Sequence, residues 1–135
     1  MSEEQKNKRI LIIGMAGGLA KILAKLILQE NPSWEILGID SRDIVLNEKI
    51  PGLKTKRLRY SRGNFENLFR DSQFDIVYHL GRLSHGGVIQ NGIAERLDIS
   101  VVGTNRILDL SLRFKVKKII ILSTFHVYGA LSDNS

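Results

Sequence analysis

The chain has 135 residues, 43% hydrophobic and 25% charged, with no cysteine and a formal net charge of +6. That length supports a single domain with a sizeable core. The apolar content is too high for a disordered chain, and runs as short as Ile10–Ile13 are far from spanning a bilayer. Without cysteine there is no disulfide framework, thiolate zinc site or cysteine nucleophile, and no metal site is expected.

Residues 1–8 read as a polar tail without a signal-peptide pattern, so a cytoplasmic protein is expected, with residues 9–135 as one domain. Arg9–Ile13 is a continuous apolar run typical of a strand covered on both faces. Gly14-Met15-Ala16-Gly17-Gly18 follows as a glycine-rich turn, and Leu19, Ile22, Leu23, Leu26 and Ile27 then recur at helical spacing. That periodicity predicts an amphipathic helix with those residues inward and Lys21 and Lys25 on the opposite face. Asn31-Pro32 ends the helix, because the residue before proline is pushed out of the α region.

Trp34–Ile39 predicts a second buried strand ending at Asp40, followed by an irregular charged stretch through Gly52. Arg57–Tyr60 predicts a weak third strand, and Asn64–Arg70 a short helix. Asp75–Leu80 predicts a fourth strand, Ala94–Phe114 a long helix, and Lys118–Ser123 a fifth strand. Strands alternating with helices imply right-handed crossovers and a parallel sheet with helices on both faces, a three-layer doubly wound α/β fold.

Chemistry concentrates at the first turn. Gly14, Gly17 and Ala20 stand at three-residue spacing between a buried strand and an amphipathic helix. A glycine after the strand permits a tight turn, and a second lets a pyrophosphate approach the unpaired N–H groups of the helix start. A small third residue lets the helix pack closely on the sheet. Asp40 ends the next strand, where a carboxylate accepts hydrogen bonds from ribose hydroxyls and repels a 2′-phosphate. This points to NAD as cofactor. Arg42, two residues on, is a group that would welcome a 2′-phosphate, which keeps NADP open.

With these residues in place, the chain resembles the extended branch of the short-chain dehydrogenase/reductase superfamily, the NAD-dependent sugar-nucleotide epimerases and dehydratases. The turn has that family's GxxGxxG-like spacing. Asp75 to Gly81 (DIVYHLG) resembles its D-V-V-x-H-L-A strand, and Ser100-Val101-Val102-Gly103-Thr104 its N-V-x-G-T helix motif. Lys117 to Gly129 (KKIIILSTFHVYG) resembles the signature that ends S-[ST]-x-x-V-Y-G. The four matches occur in order along essentially the whole chain.

The resemblance implies a Rossmann-type NAD(P)-binding fold and hydride transfer at a substrate alcohol carbon, with Thr124 holding the substrate oxygen. The residues expected around the cofactor at the first turn are Gly14, Ala16, Gly17, Gly18 and Leu19. Asp40, Ser41 and Arg42 follow at the end of the second strand, Leu80, Gly81 and Arg82 at the fourth, and Ser100 and Ser123 beyond. The substrate implied is a small molecule, in that family often a sugar nucleotide.

Several positions depart from the pattern. No tyrosine is followed four residues later by lysine on a helix, so the family's Tyr-Lys base pair is absent from this chain. Phe125 and His126 replace the Asp-Glu pair of the dehydratase branch, which disfavours removal of water. Ser100 replaces the usual Asn, Arg82 a small residue, and Ser61 stands nearest the place of an adenine-contacting Asp.

The chain stops six residues after Val127-Tyr128-Gly129. The expectation is therefore the cofactor-binding portion of a larger enzyme, inactive alone and without the substrate lobe. A non-catalytic module that senses a dinucleotide or binds RNA is the alternative. Its support is the positive charge, but the basic stretches (Lys54 to Arg62 and Arg113 to Lys118) lack the interleaved aromatics of a base-stacking surface. Nucleic acid is accordingly not the expected partner. No membrane partner is expected, and the Ala94–Phe114 helix is a candidate surface for homo-oligomerisation.

Overall fold

The computed structural model describes residues 7–80 and 105–121. Five strands, β1 (Arg9–Ile13), β2 (Glu35–Asp40), β3 (Leu53–Arg57), β4 (Ile76–His79) and β5 (Lys118–Ile121), form one parallel sheet in the order β3-β2-β1-β4-β5. The helices are α1 (Gly18–Glu30), α2 (Arg62–Asp71) and α3, which is helical over residues 105–113. The expected doubly wound α/β architecture is thus the observed one.

The strand order carries the functional geometry. Chain progression runs outward from β1 to β3 on one side and from β4 to β5 on the other. The direction of winding therefore reverses between β1 and β4. At such a reversal the connections leaving the carboxyl ends of neighbouring strands part, and a crevice opens there. Its walls here begin with Gly14 after β1 and Leu80 after β4, whose N–H donates to the Ile13 carbonyl at 2.8 Å.

β1 lies at the centre and is buried on both faces, which explains its unbroken apolar run. Leu11 and Ile13 face the layer of α2 and α3, packed with Ile39, Phe65, Phe69, Val77, Ile107 and Leu110. Ile10 and Ile12 face α1, packed with Met15, Ala20, Ala24, Leu28 and Ile36. Fully burying an isoleucine or leucine contributes about 1.5–3 kcal/mol, so these two clusters dominate the stabilisation of the sheet.

Two predicted features shift. The inward stripe of α1 is Ala20, Ala24 and Leu28, whereas Leu19, Ile22 and Leu26 are more than half exposed. Leu23 and Ile27 pack at the margin of the cluster. Alanine takes two of the three buried positions, Leu28 the third, and larger residues flank the row. The third strand runs over Leu53–Arg57 rather than Arg57–Tyr60. Its pairing is one-sided, from Ile36↔Leu53 to Asp40↔Arg57, and four of its five residues are exposed. An edge strand with charged residues carries no apolar run to reveal it, and its lysines discourage pairing with another chain.

The predicted Ala94–Phe114 helix is helical over its described part, residues 105–113, with Ile107 and Leu110 in the core and Leu112 exposed. Leu97 and Val101 lie outside the described residues.

Candidate functional site

Gly14 has φ +101°, the left-handed region that side chains avoid, and makes the sharp exit from β1. Its N–H and that of Met15 both donate to the Ile39 carbonyl at 2.9 Å, tying the turn to the neighbouring strand. Gly17 is the N-cap of α1 in extended conformation, and no side chain caps the helix or places a carboxylate in its first turn.

Among the described residues, nothing crowds the turn on this side. A Cβ added at Gly18 would meet nothing within 4 Å, and one at Gly17 only the Gly14 carbonyl at 3.6 Å. Among the described residues, packing therefore does not require glycine at these two positions. Glycine at a helix start without a packing reason leaves bare backbone and an uncompensated positive dipole end toward the crevice. Leu19 is exposed beside it. These features fit a dinucleotide pyrophosphate.

Asp40 closes the other side and is almost fully buried, at 2% exposure. Its carboxylate receives four donors: the Ala16 N–H at 2.8 Å, the Arg42 N–H at 2.9 Å, and the Arg42 Nε and Nη2 at 3.2 and 3.3 Å. Burial pushes the carboxyl up, but the Arg42 side-chain bond, the two backbone N–H bonds and the guanidinium charge together hold it below the ordinary 3.8. Asp40 is therefore an anion at neutral pH. The same contact raises the Arg42 guanidinium further above its ordinary value. Ser41 is exposed, and its carbonyl accepts from Arg57 Nε at 3.1 Å, while Arg57 also pairs with Asp43 at 2.9 Å.

Three residues at this end escaped the sequence reading. Met15 is fully buried and lies over Gly38 of β2, which anchors the turn from below. Tyr60 stacks on Phe65 with ring centroids 5.4 Å apart, and its hydroxyl faces the backbone amides of Ser41 and Gly14 beside Asp40. Desolvation and the Asp40 charge push its phenol well up, so it is a neutral hydroxyl group at the edge of the site. His79 ends β4 with Nδ1 buried and, among the described residues, without a hydrogen-bond partner, and burial lowers its pKa. The only advance signal for Tyr60 was its place at the end of the predicted third strand, and for His79 its place in the family-like DIVYHLG segment; Met15 gave none beyond its position in the glycine-rich turn.

Ser61 is occupied otherwise than its position suggests. It is the N-cap of α2, and its hydroxyl accepts from the Asn64 N–H at 3.2 Å. Tyr78, half-buried against the α1-side cluster, has its phenol pushed up by burial and is not set to take a proton near neutral pH. Leu80 packs at the edge of the same cluster. Gly81, Arg82, Ser100, Ser123, Thr124 and His126 lie outside the described residues. Among the described residues no group of three metal-ligating side chains occurs, and no helix is long and apolar enough to cross a membrane.

The strand reversal, glycine turn and strand-end carboxylate together define a doubly wound fold of the dinucleotide-binding type. Residues 10–135 match the NAD dependent epimerase/dehydratase family, and the chain belongs to it. Over 140 aligned residues it is 29% identical to dTDP-D-glucose 4,6-dehydratase of Dictyostelium discoideum, covering 94% of this chain and 32% of that protein. Similarity to the human dTDP-D-glucose 4,6-dehydratase is 25%, over 93% of this chain and 38% of the relative. Among solved structures, the UDP-glucose 4-epimerase of Bifidobacterium longum in complex with NAD+ and UDP superposes with a TM-score of 0.70. It is 26% identical, and the match covers 90% of this chain and 38% of that one. The chain thus spans about a third of the length of these relatives.

Proposed function

We propose that residues 9–135 form the dinucleotide-binding portion of an NAD-dependent epimerase- or dehydrogenase-like oxidoreductase, with NAD as cofactor. The observation that carries the reading is Asp40: a buried, ionised carboxylate at the end of β2, bonded to the Ala16 N–H of the glycine turn beside the strand reversal. Asp40 would accept the adenosine ribose hydroxyls, and the first-turn N–H groups of α1, from Gly18 onward, would receive the pyrophosphate. Ser41 and Leu80 would border it. Membership of the family and the NAD-bound epimerase neighbour support this assignment.

NAD supplies a two-electron hydride acceptor when bound. In the whole protein Thr124, which follows β5 in the sequence, would hold the substrate alcohol oxygen by a hydrogen bond and orient its carbon for hydride transfer. Gly81, Arg82, Ser100 and Ser123 would complete the cofactor's surroundings. The absence of Asp-Glu at Phe125-His126 favours epimerase or dehydrogenase chemistry over dehydration, with a sugar nucleotide as the substrate class. The proton acceptor would come from outside these residues, since no Tyr-Lys helical pair is present.

Titrating the chain with NADH while following nicotinamide emission tests the reading. Saturable enhancement, reversed by excess NAD, is the expected result, with no turnover of any sugar nucleotide by this chain alone. Emission that rises only in proportion to added NADH would overturn it.

A further inference from the structure

The whole charge imbalance of the chain resides in residues 49–62. Lysines and arginines number 20 against 14 acidic residues, and six of these cations fall in that segment with no acid among them. Removing the six from 20 leaves 14 cations against 14 acids, so the rest of the chain is balanced. Lys49, Lys54, Lys56, Arg57, Arg59 and Arg62 are all exposed. Arg57 pairs with Asp43 at 2.9 Å, and the other five meet no acid among the described residues. Cations gathered without counter-charges attract an anionic partner.

The same segment is an open edge. Among the described residues β3 pairs with β2 alone. The Gly52 carbonyl accepts from the Ile36 N–H, and the Leu58 N–H donates to the Asp40 carbonyl. Backbone groups alternate along a strand, so the N–H and C=O of Lys54 and Lys56 point to β2, and those of Thr55 and Arg57 point outward. Side chains alternate too. Leu53 packs on the α1-side cluster, which puts Lys54 and Lys56 on the opposite face, in register with Leu37 and Ile39. The edge therefore offers outward backbone groups together with two cations on one face. A nucleic acid would use the charges only: β3 carries no aromatic ring for a base to stack on, and Tyr60 beyond it is stacked on Phe65. An extended peptide would use both.

We propose that β3 is a docking edge for an acidic, extended segment of a partner protein, which adds to the sheet as a further strand. Its backbone pairs with the outward groups of Thr55 and Arg57, and acidic residues at alternate positions stand opposite Lys54 and Lys56. The lysines that repel a second copy of β3 attract such a segment. Specificity then has two parts, strand geometry from the backbone and sign of charge from the lysines. The surface uses none of the residues assigned to the cofactor, so it stands apart from the dinucleotide reading.

Fluorescence anisotropy of a labelled short peptide alternating glutamate and threonine, titrated with the whole chain, tests this. Two further probes separate the contributions: the same peptide N-methylated throughout, which keeps every charge but loses its backbone donors, and an oligouridylate of equal charge. Two variants, Lys54→Glu/Lys56→Glu and Thr55→Pro, are compared after circular dichroism shows them folded. Proline at position 55 removes an outward N–H only, a place where edge strands accept it. The expected result is saturable binding of the plain peptide that weakens with salt and is lost on N-methylation. Each variant should weaken it roughly ten-fold or more. Equal binding of the plain and N-methylated peptides overturns the proposal, because charge alone would then suffice. Tighter binding of the oligouridylate, or no saturation at millimolar peptide, overturns it as well. If Thr55→Pro does not fold, the N-methylated peptide decides the backbone part without it.

Discussion

Met15 lies against the bare backbone of Gly38: a Cβ added there would sit 2.5 Å from the Met15 sulfur and 3.1 Å from its Cβ. Both residues are buried, Met15 completely, and Gly38 pairs with Ile12 in β1 and Thr55 in β3. The glycine turn is thereby keyed to β2 from beneath, while the Ile39 carbonyl and Asp40 hold it from the side. Gly38→Ala should destabilise the fold by about 1–3 kcal/mol, because the inner part of the methionine has nowhere to retreat. Urea unfolding reads this as a lower midpoint at unchanged slope. Met15→Ala in the same background should recover part of the loss.

The buried row of α1 makes the opposite prediction from its periodicity. Ala24, fully buried beneath the helix, should tolerate no enlargement, and Ala24→Leu should cost about 1–3 kcal/mol. Ile22, 60% exposed, should accept Ile22→Gln within about 0.5 kcal/mol. Thermal melts of the two variants check the pair. A larger loss for Ile22→Gln than for Ala24→Leu would contradict the packing described here.

Much of this fold was legible because its centre is simple. β1 is buried on both faces and reads as apolar throughout, and Gly14 is demanded by a positive φ. Asp40 stands out as the single acidic residue after an apolar strand. What was not legible depends on close approach. Alanine is a weak hydrophobic signal, so a helix seated on alanines is read one step around its axis. β3 is an exposed edge whose identity comes from its partner β2, not from its own residues. The occupation of Asp40 by Arg42, and the placement of Tyr60 over the same end, arise from side-chain geometry between segments that no spacing encodes.

His79 gives the fold a pH dependence. Burial lowers its pKa below the ordinary 6.5, so the unfolded chain takes up a proton that the folded chain resists. The unfolded state then binds more protons, and stability rises with pH from the folded-state pKa up to about 6.5, levelling off above. Urea midpoints measured between about pH 5 and pH 8 should show this rise in wild type and a flatter profile in His79→Gln. Parallel profiles would contradict a buried, neutral His79.

Ser61 separates structure from ligand binding. Because its hydroxyl caps α2, Ser61→Ala should lower stability by about 1 kcal/mol and leave NAD affinity unchanged. Ser61→Asp, which retains a capping oxygen, should restore the stability. A loss of NAD affinity in Ser61→Ala without a loss of stability would place the serine at the cofactor instead.

The proposed role of Asp40 is to hold the ribose of a bound NAD. Calorimetric titration of wild type and Asp40→Asn with NAD tests it most directly, with circular dichroism confirming that both are folded. Saturable binding of one NAD per chain is expected for wild type. In the variant it should weaken roughly ten-fold or more, as a charged acceptor is replaced by a neutral one. Equal affinity in the two proteins, or no saturable heat from wild type at millimolar NAD, would contradict it.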